Sequence, residues 1–117
     1  MSTAAMTDRI VAWFPGQGSQ KVGMGQDLVQ NFAVARQTFE EASDALGLNL
    51  QKLCFEGPET DLMLTENTQP ALLTVSIAAW RVFQDSTGLA PRLAAGHSLG
   101  EYSALVANGA IPFATAV

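Results

Sequence analysis

Leu93-Ala94-Ala95-Gly96-His97-Ser98-Leu99-Gly100-Glu101-Tyr102 joins three local signals within ten residues. Leu93 to Ala95 form a short apolar run that enters Gly96, which predicts a buried strand. From Leu99 to Asn108 the apolar residues Leu99, Tyr102, Leu105 and Val106 recur at spacings of three and four, which predicts a helix with Gly109 as its stop. Between them, Gly96-His97-Ser98-Leu99-Gly100 fits G-x-S-x-G, a sharp strand-to-helix turn that holds a serine in strained geometry with its hydroxyl projecting. The flanking glycines remove Cβ atoms that would clash with the neighbouring strand and helix.

Upstream, Ile10 to Phe14 is a continuous apolar run closed by Pro15-Gly16, the pattern of a fully buried strand in a parallel sheet, and a Gly-rich loop follows from Gly16 to Gly25. Between Asn31 and Leu46, the positions Phe32, Ala35, Phe39, Ala42 and Leu46 step by three and four, predicting an amphipathic helix with Gly47 at its C-terminus. Leu50 to Glu56 and Asp61 to Leu64 read as short helical turns around Gly57-Pro58. Asn67 or Thr68 is expected to cap a central, buried helix whose first turn holds Pro70. Its body, Ala71 to Phe83, is apolar nearly all round with a narrow polar stripe at Thr74, Arg81 and Asp85, and Ser86-Thr87-Gly88 ends it. Ile111-Pro112 opens a further helix. Strand, helix, strand, helix is the order of an α/β fold: part of an α/β-hydrolase-like parallel sheet flanked by helices, incomplete because two strands cannot make a sheet covered on both faces.

The composition narrows the chemistry. At 117 residues the chain suits one domain, and with 48% hydrophobic and 15% charged residues it can build a core. The longest apolar helix candidate, Ala71 to Phe83, falls short of the roughly 20 residues of a membrane span. The first eight residues lack Lys and Arg, so no export leader is expected and the cytoplasm is the expected compartment. Six Lys+Arg against eleven Asp+Glu give a net charge of −5, which argues against nucleic acid or anionic membrane as partners. One cysteine, Cys54, and one histidine, His97, leave no disulfide and no metal cluster, so neither metal nor cofactor is expected.

Ser98 is the candidate nucleophile; its structural rival is a serine that merely caps the next helix. The Leu99 N–H, at the positive end of that helix, can stabilise a developing oxyanion. A second donor is expected from Gln17, because loops at the carboxyl ends of parallel strands converge on one crevice. A phosphate-binding role for the Gly16 loop is disfavoured: Lys21 stands where G-x-G-x-x-G requires its third glycine. His97 adjoins Ser98, so the two side chains diverge, and His97 is expected to orient the elbow by packing and hydrogen bonding. Glu101 has a sufficient structural role against the helix dipole, and Cys54 reads as an ordinary core residue. No residue of the chain is a convincing base for Ser98.

Phe14-Pro15-Gly16-Gln17-Gly18-Ser19-Gln20, Asn67-Thr68-Gln69-Pro70-Ala71 and Gly96-His97-Ser98-Leu99-Gly100-Glu101-Tyr102, in that order and spacing, resemble the malonyl-CoA:acyl carrier protein transacylases, the acyltransferase family of fatty-acid and polyketide synthesis. The resemblance covers essentially all of the chain after Asp8. It implies a ping-pong transfer in which Ser98 takes a malonyl group from malonyl-CoA and passes it to the phosphopantetheine thiol of acyl carrier protein, with Gln17 and Leu99 as the oxyanion hole. It implies that Gln69 lines the acyl pocket, and His97 joins Gln69 as a substrate-binding position. The aliphatic Leu99 after the serine leans towards malonyl over methylmalonyl.

Family members are much longer, and the resemblance implies a distal catalytic His, an Arg that pairs with the malonyl carboxylate and a small ferredoxin-like subdomain, none of which is expected within these residues. Residues 1–117 are therefore expected to be the N-terminal portion of one acyltransferase domain, inactive and poorly stable without the remainder of that chain. Two alternatives stay open: a serine esterase or thioesterase, which would deliver the acyl group to water, and a non-catalytic interaction module.

Overall fold

The computed structural model describes residues 10–91 and 93–117. Strands β1 (Val11–Phe14) and β2 (Leu93–Gly96) pair in parallel, with Val11 opposite Leu93, Trp13 opposite Ala95 and Phe14 opposite Gly96. Five helices connect them: α1 (Gln26–Asn31), α2 (Ala33–Leu46), α3 (Leu50–Glu56), α4 (Glu59–Leu62) and α5 (Thr65–Thr87). Helices α6 (Gly100–Ala107) and α7 (Phe113–Ala116) follow β2. The result is a mixed α/β fold with helices flanking a short parallel sheet.

The apolar stripe of α2 buries Ala35, Phe39 and Ala42 against α5 and α3, where the Phe39 and Phe55 rings lie 5.3 Å apart. As expected, α5 is the central helix, burying Ala71 to Thr74, Ser76 to Ala78 and Val82. Gly47 and Gly88 close α2 and α5 in the left-handed conformation, at φ 71° and 69°. Arg81 on α5 ties three helices together: Nη1 donates to Glu41 Oε2 at 2.9 Å and to Thr38 Oγ1 at 3.1 Å, while the guanidinium lies 5.0 Å from the centre of the Phe113 ring.

Three expectations are corrected. The helix drawn from Asn31 begins instead at Ala33, behind a separate α1, because Phe32 is extended (φ −133°, ψ 123°). Asn31 Nδ2 donates to Asp27 O at 2.7 Å and Phe32 N–H to Leu28 O at 2.9 Å, which closes α1 before α2 starts and leaves Phe32 exposed. Helix α5 starts at Thr65, so neither Asn67 nor Thr68 is its cap. Asn67 Nδ2 donates to Asp61 O at 2.9 Å and Thr68 Oγ1 to Leu62 O, so both side chains fasten α5 to α4 instead. Pro70 thus lies within the helix, where it withholds one backbone donor. The strands are also not fully buried. Phe14 turns inwards to an edge-on contact with Trp80, but Val11, Trp13 and Leu93 on the other face are 54%, 75% and 60% exposed, since no described element covers that side. The expectation of no export leader concerns residues 1–8, which lie outside the described residues.

Cys54 is buried, and desolvation pushes its thiol from the ordinary 9.0 up to about 12. Between those values the unfolded chain gives up a proton that the folded chain keeps, so stability falls as pH rises above about 9. The expected result is that alkylation by iodoacetamide at neutral pH needs prior unfolding; rapid labelling of the native protein would contradict this burial.

Phe32 and Phe39 belong to one sequence stripe but not to one environment. Phe39→Ala is expected to cost about 3–5 kcal/mol in urea unfolding, and Phe32→Ala no more than about 0.5 kcal/mol.

Candidate active site

Ser98 has φ +55°, the one positive φ outside glycine among the described residues. Left-handed backbone is disfavoured for a residue with a Cβ, and the surroundings show what enforces it here. A Cβ on Gly96 would overlap the Gly100 carbonyl and stand 2.7 Å from the Glu101 nitrogen; a Cβ on Gly100 would overlap the Phe14 carbonyl oxygen. A Cβ on Gly16 would meet the His97 carbonyl oxygen at 2.5 Å. The ends of both strands and the start of α6 therefore touch backbone to backbone at three glycines, and the chain turns through His97 and Ser98 in the space left.

The turn is closed by N–H donation from Gly100 to His97 O, Glu101 to Ser98 O and Tyr102 to Leu99 O, each at 3.0 Å. Ser98 is exposed, and its hydroxyl has no hydrogen-bond partner among the described residues. The capping alternative is not what forms: Leu99 precedes the first residue of α6, with no side-chain cap. Among the described residues, neither the Leu99 N–H nor the Gln17 N–H has an acceptor. The Gln17 side chain reaches across the fold, donating from Nε2 to Thr65 Oγ1 at 3.2 Å.

Gln69 and Leu99 meet in a cavity of about 380 Å³, also lined by Glu66, Pro70, Leu73 and Tyr102. Ser98, His97 and Gln17 are exposed and do not line it. The His97 expectation needs correction: its imidazole is exposed and unpaired among the described residues, and its main-chain carbonyl is the part that holds the elbow. Thr65, Glu66 and Tyr102 were missed from the sequence. A helix drawn from Thr65 would have found the first two, because Thr65 and Glu66 then lie four and three residues before Gln69, on its side of α5. Among the described residues no group of three His, Cys, Asp or Glu could hold a metal ion, and no helix is long and apolar enough to cross a membrane.

Residues 12–117 match the acyl transferase domain family. A malonyl CoA-acyl carrier protein transacylase of Salmonella typhimurium is 57% identical over 104 residues, covering 89% of this chain and 34% of that protein. The crystal structure of an acyl carrier protein S-malonyltransferase from Vibrio cholerae superposes with a TM-score of 0.87 at 56% identity, covering 91% of this chain and 35% of the other. A structure of a malonyl-transacylase in complex with a type II polyketide synthase acyl carrier protein matches with a TM-score of 0.87 at 57% identity, over 91% of this chain and 34% of that one. The chain spans about a third of the length of these relatives.

The glycine contacts and the Ser98 strain predict opposite effects at neighbouring positions. Gly96→Ala is expected to cost about 3 kcal/mol or more, because the obstructing atoms are backbone. Ser98→Gly is expected to raise stability by up to about 1 kcal/mol, because glycine adopts this φ without strain. Thermal unfolding of the two variants checks both signs, and a Ser98→Gly loss as large as that of Gly96→Ala would refute the strain.

Proposed function

The chain belongs to the acyl transferase family, and on that premise we propose that it carries the nucleophile and oxyanion site of an [acyl-carrier-protein] S-malonyltransferase of fatty-acid biosynthesis. The observation that carries this reading is the exposed Ser98 hydroxyl on a positive-φ elbow enforced by Gly16, Gly96 and Gly100.

The Ser98 Oγ attacks the thioester carbonyl of malonyl-CoA. The carbonyl oxygen takes up negative charge, which the Leu99 and Gln17 N–H groups stabilise as preorganised donors. Collapse expels the coenzyme A thiol and leaves a malonyl ester on Ser98. The phosphopantetheine thiol of acyl carrier protein then attacks that ester, and Ser98 is released with its proton restored. Gln69 lines the acyl side of the crevice, and His97 borders the substrate. No metal or cofactor takes part, and the reaction runs in the cytoplasm.

Two groups are required beyond these. A serine hydroxyl needs a proton acceptor, and the malonyl carboxylate needs a cation, since an unpaired carboxylate in a partly dry pocket costs several kcal/mol. Glu66 is the charged side chain lining the cavity, and it has the wrong sign for that task. Base and cation come from sequence outside these 117 residues. The similarity to a malonyl CoA-acyl carrier protein transacylase and to a malonyl-transacylase bound to an acyl carrier protein supports this assignment of substrate and partner.

The test uses the complete protein. After mixing with malonyl-CoA and acid quench, intact mass with peptide mapping is expected to place one malonyl group on Ser98, and Ser98→Ala is expected to take up none. Added phosphopantetheinylated acyl carrier protein is expected to remove that group and carry it. Loss of the malonyl group to water at one rate with or without the carrier would identify a hydrolase instead.

A further inference from the structure

The loop that presents the Gln17 N–H is poorly fixed by its own turns. Gly18 N–H donates to Gln20 Oε1 at 2.7 Å, but Ser19 N–H reaches Gly16 O only at 3.4 Å, and Gly18 lies at φ +110° in open space. The far end of the loop is anchored, with Gly23 N–H donating to Cys54 O at 2.7 Å. At the near end, the side-chain tie to the rest of the fold is the 3.2 Å hydrogen bond from Gln17 Nε2 to Thr65 Oγ1. Thr65 is a firm anchor. It opens α5, and Asn67 and Thr68 in the same turn are bonded to α4. One turn further along, Gln69 lines the cavity that Leu99 also lines.

We propose that Thr65 is a positioning residue for Gln17, its hydroxyl oxygen accepting the Gln17 amide and thereby setting the peptide whose N–H is the second oxyanion donor. This deepens the acyl-transfer reading and rests on it. Glycines on both sides let the Gln17 peptide sample many orientations, and an oxyanion donor acts only in a narrow range of them. The tie to α5 removes that freedom before substrate arrives. The same end of α5 then bears on both halves of the oxyanion site, through Thr65 at the Gln17 loop and through Gln69 beside Leu99.

The test follows Ser98 acylation by malonyl-CoA in the complete protein, across donor concentrations, by rapid quench and intact mass. Thr65→Val keeps the shape and removes the acceptor. It is expected to lower the maximal acylation rate about three- to tenfold, the worth of one net hydrogen bond, with the half-saturating concentration unchanged. Thr65→Ser is expected to restore the rate. Gln17→Leu reads the same tie from an exposed loop position should Thr65→Val disturb α5; it is expected to slow acylation equally, with no further loss when combined with Thr65→Val. A Thr65→Val rate equal to wild type, failure of Thr65→Ser to rescue, or multiplying losses in the double variant would overturn the proposal. Wild-type protein that never acquires malonyl mass would bring down the acyl-transfer reading as well, whereas normal acylation with an indifferent Thr65 removes this inference alone.

Discussion

Backbone contact at three glycines governs this structure. The Phe14 carbonyl lies against Gly100, the Gly100 carbonyl against Gly96, and the His97 carbonyl against Gly16, at separations that leave no room for a Cβ. Two parallel strands and the helix that follows the second are thereby drawn onto one point. A chain leaving β2 and entering α6 through that point must reverse within His97 and Ser98, and the positive φ at Ser98 is the consequence. Strain of this kind costs about 1–3 kcal/mol, and it persists because the packing on either side over-determines it. Leu99 and Ala104 on one side and Phe14 on the other are buried, so relaxing Ser98 would pull apolar surface back into water.

Burial of polar groups along α5 follows the same economy of satisfied donors. Thr74 Oγ1 donates to Pro70 O at 2.8 Å within its own helix, and Thr38 Oγ1 donates to Val34 O at 2.8 Å while accepting from Arg81. These hydroxyls enter the core without leaving an unpaired donor, which makes burial inexpensive. Ser103 on α6 is the exception: its buried hydroxyl has no partner among the described residues. The α2–α5 core is thus closed and internally satisfied, whereas the sheet exposes Val11, Trp13 and Leu93.

What the sequence made legible divides along the range of the interactions involved. The elbow could be read because its requirements are contiguous: an apolar run, glycines two residues either side of a serine, then a helical period. The stops at Gly47 and Gly88 were legible for the same reason, since a left-handed C-terminus is a local event that glycine permits. The start of α5 was not, because Asn67 and Thr68 look like caps until their side chains are seen bonding to α4 carbonyls six residues upstream. Strand burial failed differently. A continuous apolar run looks the same whether one face or two is covered, so Ile10 to Phe14 could not reveal that Trp13 lies open.

The candidate site divides along the same line. Ser98 and Leu99 are adjacent in sequence, and the Gln17 loop could be placed near them because carboxyl ends of parallel strands converge. That rule brings a loop into the neighbourhood but does not orient a peptide within it. Orientation comes from contacts over long sequence separations, here Gln17 with Thr65 and Gly16 with His97, and no periodicity encodes them. The distinction has a chemical side. Raising a serine hydroxyl into the open on a sharp turn is something local sequence can specify. An oxyanion donor stabilises charge only where its N–H already points at the place that charge will occupy, and in this fold the loop carrying the Gln17 N–H is tied by its side chain to Thr65 on a helix elsewhere in the chain.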